Sequence, residues 1–234
     1  MVELDPVAPT ALREPTRVID DHLADSLAAL SCKRTRTANP IADLGTGAGF
    51  PGLPLAIARP DATLSLVESS ARKCAFVRRA VNACGLQNVR VVNARAEQWP
   101  EGLKEFELVT ARALAPLPVV AEYAAPLLRI GGALVVWRGR RDHDAERAAV
   151  LAAADLGLET REPVRVEPYD GAEHRYLQLM VKVRETPDRF PRRPGIARKR
   201  PLAGRPRTST AAEGRGSPTG NPPGPDAAGT AAPV

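Results

Sequence analysis

The stretch Asp43-Leu44-Gly45-Thr46-Gly47-Ala48-Gly49-Phe50-Pro51-Gly52-Leu53-Pro54 decides the fold, because a carboxylate and a run of glycines join an apolar strand to a helix. Glycines let the backbone approach a ligand closely, and Pro51 suits the first turn of a helix, where its missing N–H costs nothing. The stretch therefore predicts a nucleotide-type ligand site. Residues 47–52 also satisfy the G-x-G-x-x-G dinucleotide pattern, so the loop alone does not identify the ligand.

Two acidic residues favour S-adenosylmethionine (SAM) over a dinucleotide. Asp43 lies two residues before the first glycine, where its charge would repel a pyrophosphate and attract the sulfonium and ammonium groups of SAM. Glu68 follows the next predicted strand, residues 63–67, and can accept hydrogen bonds from the ribose of either cofactor. A nicotinamide or flavin cofactor and an ordinary strand-loop-helix turn remain the alternatives. The candidate cofactor-binding residues are Asp43, Gly45, Gly47, Gly49 and Glu68.

Length and composition favour one domain with appendages. The chain has 234 residues, 44% of them hydrophobic, which is enough for a full core. No apolar run is long enough to span a bilayer, and the acidic N-terminus has no signal-like core, so we expect a cytoplasmic protein. The three cysteines and three histidines lack metal-ligand spacing, so we expect no metal.

The net charge of +6 is concentrated near the C-terminus. From Thr186 onward there are nine basic and three acidic residues, whereas the preceding body is neutral. A basic segment beside a neutral body suits a polyanion such as RNA, and a solubilising tail is the alternative. After Gly204 the chain is rich in proline, glycine, alanine and threonine, a composition that predicts disorder.

Strand and helix patterns alternate along the body. Strands are predicted at 41–44, 63–67, 89–92, 108–110, 133–137, 164–166 and 176–183, and helices at 54–58, 71–84, 117–128 and 144–156. Two final strands without a long helix between them imply an antiparallel edge pair on a mostly parallel sheet. The predicted fold class is α/β: a Rossmann-like class I SAM-dependent methyltransferase with a seven-stranded sheet.

This pattern divides the chain into four parts. We expect an N-terminal helical segment at 1–38, the methyltransferase domain at 39–185, a basic RNA-contacting segment at 186–204 and a disordered tail at 205–234. The basic segment is expected to position RNA without building the cofactor crevice. Its removal should then leave SAM affinity unchanged.

The absence of two motifs limits the kinds of atom that can accept the methyl group. The chain has no Asn/Asp-Pro-Pro-aromatic element after the fourth strand, as exocyclic amine methylation generally requires, and no cysteine follows a proline, as in many pyrimidine-carbon methyltransferases. An acceptor that is already nucleophilic remains. A purine N7 fits, because its lone pair needs no deprotonation and only has to be oriented.

Several motifs together resemble one family. They are the glycine stretch from Asp43 to Gly52, Leu66-Val67-Glu68-Ser69, Arg72-Lys73, Arg95-Ala96-Glu97, Thr110-Ala111-Arg112-Ala113, and the C-terminal Phe190-Pro191-Arg192-Arg193-Pro194-Gly195 to Lys199-Arg200-Pro201-Leu202. The chain resembles the bacterial 16S ribosomal RNA guanine-N7 methyltransferase family, also called glucose-inhibited division protein B, from about His22 to Leu202.

The resemblance implies the function and the site residues. It implies SAM-dependent methylation of a guanine N7 in 16S ribosomal RNA or the small subunit, by a protein expected to be a monomer. Roles in the reaction are implied for Arg112 and Lys73, and SAM contacts for Gly45, Phe50, Glu68, Ala96, Glu97 and Arg112. RNA contacts are expected at Arg138, Arg192, Arg193, Arg198, Lys199 and Arg200. The alternatives are a methyltransferase of a small molecule or protein, and a non-catalytic RNA-binding protein.

Overall fold

The computed structural model describes residues 14–202. The start of the expected helical segment, residues 1–13, and the expected disordered tail lie outside this range. Within it, the N-terminal segment is helical almost throughout. It consists of α1 (Pro15–Val18), a π-helical turn (Ile19–Ala24), α2 (Asp25–Leu27), a 3-10 turn (Ala28–Ser31) and α3 (Lys33–Thr37).

One mixed sheet forms the centre of the molecule. Its strands are β1 (Ile41–Leu44), β2 (Leu64–Glu68), β3 (Val89–Asn93), β4 (Phe106–Arg112), β5 (Leu128–Arg138), β6 (Leu158–Thr160), β7 (Val164–Arg165) and β8 (Tyr176–Lys182). The order is β3-β2-β1-β4-β5-β8-β6, with β7 also paired to β8. The first five strands are parallel, whereas β8 is antiparallel to β5, β6 and β7. Because β5 occupies one edge of β8, β6 and β7 share the other, and the sheet is seven strands wide. The predicted fold class is confirmed.

Helices cover both faces of the sheet. They are α4 (Gly52–Ala58), α5 (Ala71–Ala83), α6 (Leu117–Ala124), α7 (His143–Leu156) and α8 (Ile196–Lys199). Alternate strand residues belong to opposite cores: Leu108 packs with α4 and α5, whereas its neighbour Val109 packs with α6 and α7. With helices on both faces, β1, β2 and β4 are buried almost throughout their lengths.

Apart from shifts at element ends, of which the longest is in β5 (Leu128–Arg138 against the predicted 133–137), the structure differs from the sequence-based prediction at two elements. The helix predicted over 117–128 ends at Ala124 and continues as a 3-10 turn to Leu127, because Pro126 cannot donate a helical hydrogen bond. Strand β6 was not predicted, since it has three residues and only Leu158 is fully buried. Neither difference moves the carboxyl edge of the parallel strands, where the candidate site lies.

Candidate active site

Asp43 lies beneath the glycine loop. Only 1% of the residue is exposed, and its two carboxylate oxygens accept hydrogen bonds from the Gly52 backbone N–H (3.1 Å) and the Thr110 hydroxyl (2.9 Å). Burial raises its pKa to about 6, against the opposing effect of these hydrogen bonds. Asp43 does not line the adjoining cavity. The carboxylate fixes the start of α4 through Gly52, and its attraction for a sulfonium stays a prediction.

A cavity of about 330 Å³ opens at the carboxyl ends of β1, β2, β3 and β4. This edge is where ligands bind in open α/β sheets. The predicted residues Gly45, Glu68, Lys73, Ala96 and Glu97 all lie in its wall. The remaining wall residues are Val67, Ser69, Ala94, Arg95, Ala113, Leu114, Tyr123 and Arg198.

Glu68 connects the glycine loop to the cavity. One carboxylate oxygen accepts from the Gly47 N–H (3.3 Å), and the other accepts from the Ser70 N–H (2.9 Å) and the Ser69 hydroxyl (3.3 Å). These bonds hold a carboxylate that is 7% exposed at the end of β2. A carboxylate fixed in this way can still accept hydrogen bonds from ligand hydroxyls, because each oxygen has two lone pairs.

Two residues of the cavity wall, Gly45 and Ala113, have positive φ angles. Gly45 has a φ of +67°, and a Cβ there would lie 2.5 Å from Leu114 Cδ1, so this position requires glycine. Ala113, directly after β4, has a φ of +54°. A non-glycine residue in this region is strained, and such strain is common at functional sites.

Glu97 lies at the far side of the cavity from Gly45 in the order of the strands, after β3. Its side chain is 4% exposed and accepts two hydrogen bonds from the Arg95 guanidinium, at 2.9 and 3.1 Å. The same Oε1 accepts from the Gly195 N–H at 3.3 Å. The C-terminal segment therefore reaches a predicted cofactor residue.

Arg112 and Phe50 lie outside the cavity wall, in contact with the N-terminal segment. The Arg112 guanidinium donates to the Asp25 carboxylate (2.9 Å) and the Asp21 carbonyl (2.9 Å) and lies 5.6 Å from the centre of the Phe50 ring. The His22 ring stacks on Phe50 at 4.5 Å, and burial, followed by the charge of Arg112, lowers the His22 pKa. The predicted cofactor contacts of Arg112 and Phe50 are thus not part of the cavity as the structure has it. Their partners come from residues distant in sequence.

Gly47 and Gly49 also lie outside the cavity wall. Both have positive φ angles, +59° and +96°. They shape the loop, and Gly47 binds Glu68 through its N–H. Their role as cofactor contacts stays a prediction.

The basic C-terminal segment divides into paired and exposed residues. Arg192 binds the fully buried Glu122 of α6, with Nε 2.8 Å from Oε1, and its RNA contact stays a prediction. Arg198 lines the cavity and donates to the Leu114 carbonyl at 2.9 Å. Arg193, Lys199 and Arg200 are exposed, and Arg138 is half-buried at the end of β5. Through Arg198 and the Gly195 N–H the segment reaches the cavity wall, whereas it was expected to lie apart from the cofactor crevice.

Tyr123 is a cavity residue that the sequence did not indicate. It lies on α6, is 4% exposed, and its hydroxyl has no hydrogen-bond partner among residues 14–202. Burial, followed by the charge of Glu97, raises its pKa, and Arg198 opposes this shift. In the sequence it resembles any other apolar position of a buried helix. Its position in the cavity wall becomes evident only when residues 190–199 pack beside α6.

The described part of the chain contains no cluster of histidine, cysteine and acidic residues that could hold a metal ion. Within the same range, no helix is both long enough and apolar enough to cross a membrane.

Comparisons with known proteins agree on one family. The model of the family described as "GidB: rRNA small subunit methyltransferase G" matches residues 8–163. The Ribosomal RNA small subunit methyltransferase G of Chloroflexus aggregans is 44% identical over 198 residues, covering 82% of this chain and 82% of the relative. The protein of the same name from Rubrobacter xylanophilus is 41% identical over 198 residues, covering 82% and 76%.

Solved structures show the same fold. A SAM-dependent methyltransferase from Aquifex aeolicus has a TM-score of 0.58 at 20% identity, covering 77% of this chain and 100% of the other. Fibrillarin from Aeropyrum pernix, solved with natively bound SAM, has a TM-score of 0.54 at 19% identity, covering 68% and 73%. At these identities the likeness shows the fold alone.

Proposed function

Because the chain belongs to the rRNA small subunit methyltransferase G family, we propose that its cavity holds SAM and that the acceptor is the N7 atom of a guanine in 16S ribosomal RNA. SAM-dependent methylation of small-subunit ribosomal RNA follows from the family. The residues that carry it out are inferred from the cavity. The observation that carries the proposal is the joint presence of Gly45, Glu68, Ala96 and Glu97 in one cavity wall.

The wall has the donors and acceptors that a nucleoside needs. We assign the ribose hydroxyls to Glu68, and the adenine to the backbone and side chains of Ala96 and Glu97. The close backbone at Gly45 and the buried Tyr123 hydroxyl supply further polar contacts. When bound, SAM supplies an electrophilic methyl group on a sulfonium.

The protein's contribution is binding and orientation. A guanine N7 lone pair needs no general base, so the protein has to hold the base in line and exclude water. Lys73 lines the cavity and is assigned to the RNA side of its mouth. Arg112, already paired with Asp25, is assigned a positioning role through the N-terminal segment.

Basic residues lie on two segments beside this cavity. Arg193, Lys199 and Arg200 are exposed on the C-terminal segment that carries the wall residue Arg198, and the half-buried Arg138 ends β5. We assign RNA phosphate contacts to these four residues, because such contacts position a substrate without reading its sequence. We further propose that the protein acts in the cytoplasm as a monomer, on 16S ribosomal RNA or the small subunit.

Calorimetry tests the cofactor. The full chain should bind S-adenosylhomocysteine and should not bind NAD; NAD binding alone would overturn the assignment. Glu68→Ala should weaken S-adenosylhomocysteine binding by roughly 1.5–3 kcal/mol, since it removes a charge-assisted hydrogen bond. Glu159→Gln, which alters an exposed ion pair on β6, is the control and should bind as the wild type does.

Labelled SAM tests the substrate. The enzyme is incubated with 16S ribosomal RNA, small subunits or total tRNA, and the modified base is mapped. Label at a guanine N7 of 16S ribosomal RNA supports the proposal. Label only on tRNA, or on another atom of the base, contradicts it.

A further inference from the structure

The C-terminal segment is clamped to the body by a buried ion pair. Glu122 on α6 is fully buried, and the Arg192 guanidinium binds both of its carboxylate oxygens. The Arg192 backbone N–H also donates to Glu122, at 3.2 Å. A bidentate pair of this kind fixes the position and direction of the chain that carries it.

Arg192 also closes the segment on itself. Its guanidinium donates to the Arg200 carbonyl at 2.9 Å, across the turn that contains α8. Phe190 and Ala197 are 8% and 2% exposed and pack in the same core as α6. The segment is therefore held at both ends and in the middle.

The clamped segment supplies part of the cavity wall. Between Arg192 and Arg200, the Gly195 N–H binds the Glu97 carboxylate, and Arg198 lines the cavity beside Tyr123. The exposed Arg193 and Lys199 lie on the same short segment. One side of this short turn thus faces the cavity, and the other carries basic side chains toward solvent.

We propose that the segment 190–200 is a cofactor-binding element, positioned by the Glu122–Arg192 pair, and that it couples the binding of cofactor and RNA. The coupling rests on the proposed function, because it takes the exposed basic residues of this segment as RNA contacts. A ligand bound on either side of this turn restricts the residues that contact the ligand on the other side. By linkage, each ligand then raises the affinity for the other by the same factor.

The first test measures S-adenosylhomocysteine binding by calorimetry without RNA. Arg198→Gln removes an exposed wall residue and should weaken binding about fivefold while leaving the melting temperature within a few degrees. Glu122→Gln removes the charge that holds Arg192 and should weaken binding about tenfold. Arg165→Gln, which changes an exposed arginine on β7 outside the segment, is the matched control and should bind S-adenosylhomocysteine as the wild type does. Because Glu122→Gln removes a buried charge, its folding is checked by circular dichroism, and Arg198→Gln keeps the test valid if that variant unfolds.

In the second test, the wild type and Arg193→Gln are titrated with S-adenosylhomocysteine, with and without saturating 16S ribosomal RNA. The RNA should tighten S-adenosylhomocysteine binding at least threefold in the wild type and less in Arg193→Gln. If Arg198→Gln and folded Glu122→Gln bind within twofold of the wild type, the segment is not a cofactor-binding element. If RNA leaves the wild-type affinity unchanged, the coupling is wrong while the proposed function stands. A wild-type protein that does not bind S-adenosylhomocysteine contradicts the proposed function itself.

Discussion

At the scale of single residues, the carboxylate of Asp43 holds the glycine loop through hydrogen bonds. Its carboxylate is buried and satisfied by Gly52 and Thr110. A Cβ at position 52 would lie 2.9 Å from that carboxylate and 2.2 Å from Leu66 Cδ2, so the glycine is required by packing. The spacing between Asp43 and Gly52 is thus explained by the hydrogen bond that joins them beneath the loop.

Replacing Asp43 should separate the contribution of its hydrogen bonds to the free energy of unfolding from that of its charge. Burial raises the pKa to about 6, above the ordinary value near 4, so ionisation costs on the order of 3 kcal/mol of stability as the pH rises from about 4 past 6. Asp43→Asn can accept from Gly52 and donate to Thr110 without this cost. Its free energy of unfolding in urea should therefore match or exceed the wild-type value at pH 7.5 and vary less between pH 4.5 and 7.5. Asp43→Ala should be less stable at both values; an Asn variant as unstable as the Ala variant would show that the charge is needed.

Lys182 predicts a pH dependence in the alkaline range. The residue is 1% exposed, burial lowers its pKa to about 8, and its ammonium donates to the Ala125 carbonyl and the Thr186 hydroxyl. An unfolded lysine titrates near 10.4, so the unfolded state binds more protons between about pH 8 and 10. Stability from this residue should therefore rise with pH over that window. Urea unfolding at pH 7.5 and 9.5 should show the rise in the wild type and a smaller one in Lys182→Met.

At the scale of elements, the sequence predicted the parts whose pattern is local. β1, α5 and α7 lie within one or two residues of their predicted bounds, because their apolar periodicity and flanking glycines are contained in the segment itself. The wall residue Glu68 was predicted from a strand end for the same reason, whereas Ala96 and Glu97 were predicted from the family resemblance.

The parts that depend on distant partners were not predicted. Arg112 faces Asp25, 87 residues away in sequence, and Arg192 faces Glu122, 70 residues away. A basic residue near the C-terminus looks the same in sequence whether it meets RNA or a buried carboxylate. The presence of Glu122 in an otherwise apolar helix does indicate a basic partner, since an acidic residue is seldom buried without one.

The C-terminal segment should therefore respond differently to two kinds of charge removal. The double variant Arg193→Gln/Lys199→Gln changes exposed side chains and should weaken RNA binding. Its slope of log affinity against log salt should also be smaller, by roughly 0.7 for each phosphate that the variant no longer neutralises. Its melting temperature should be unchanged. Arg192→Gln leaves Glu122 buried without its charge partner and should lower stability by about 3 kcal/mol. Filter binding across a salt series measures the RNA affinity, and thermal unfolding measures the stability of each variant. Equal salt slopes for the double variant and the wild type would contradict the RNA assignment.

At the scale of the whole molecule, two truncations distinguish the ends of the basic region. The chain after Gly204 contains almost no large apolar side chains, so ending it after Gly204 should leave methyltransferase activity within about twofold of the full chain. Ending it after Arg189 removes Phe190 and Ala197 from the core and Arg198 from the cavity. That shorter chain should lose S-adenosylhomocysteine binding and melt at a lower temperature, as followed by calorimetry and circular dichroism. Undiminished S-adenosylhomocysteine affinity would show that the cavity is complete without the segment.

The position of β8 has a consequence for incomplete chains. It is the last strand in sequence among the described residues, yet it is paired along both edges, to β5 on one side and to β6 and β7 on the other. Until residue 182 has been synthesised, β5 presents the unpaired apolar edge Ala133-Leu134-Val135-Val136-Trp137, which is a template for pairing with another chain. Prematurely terminated or stalled chains should therefore form intermolecular aggregates through this edge, whereas chains that reach Lys182 close it themselves.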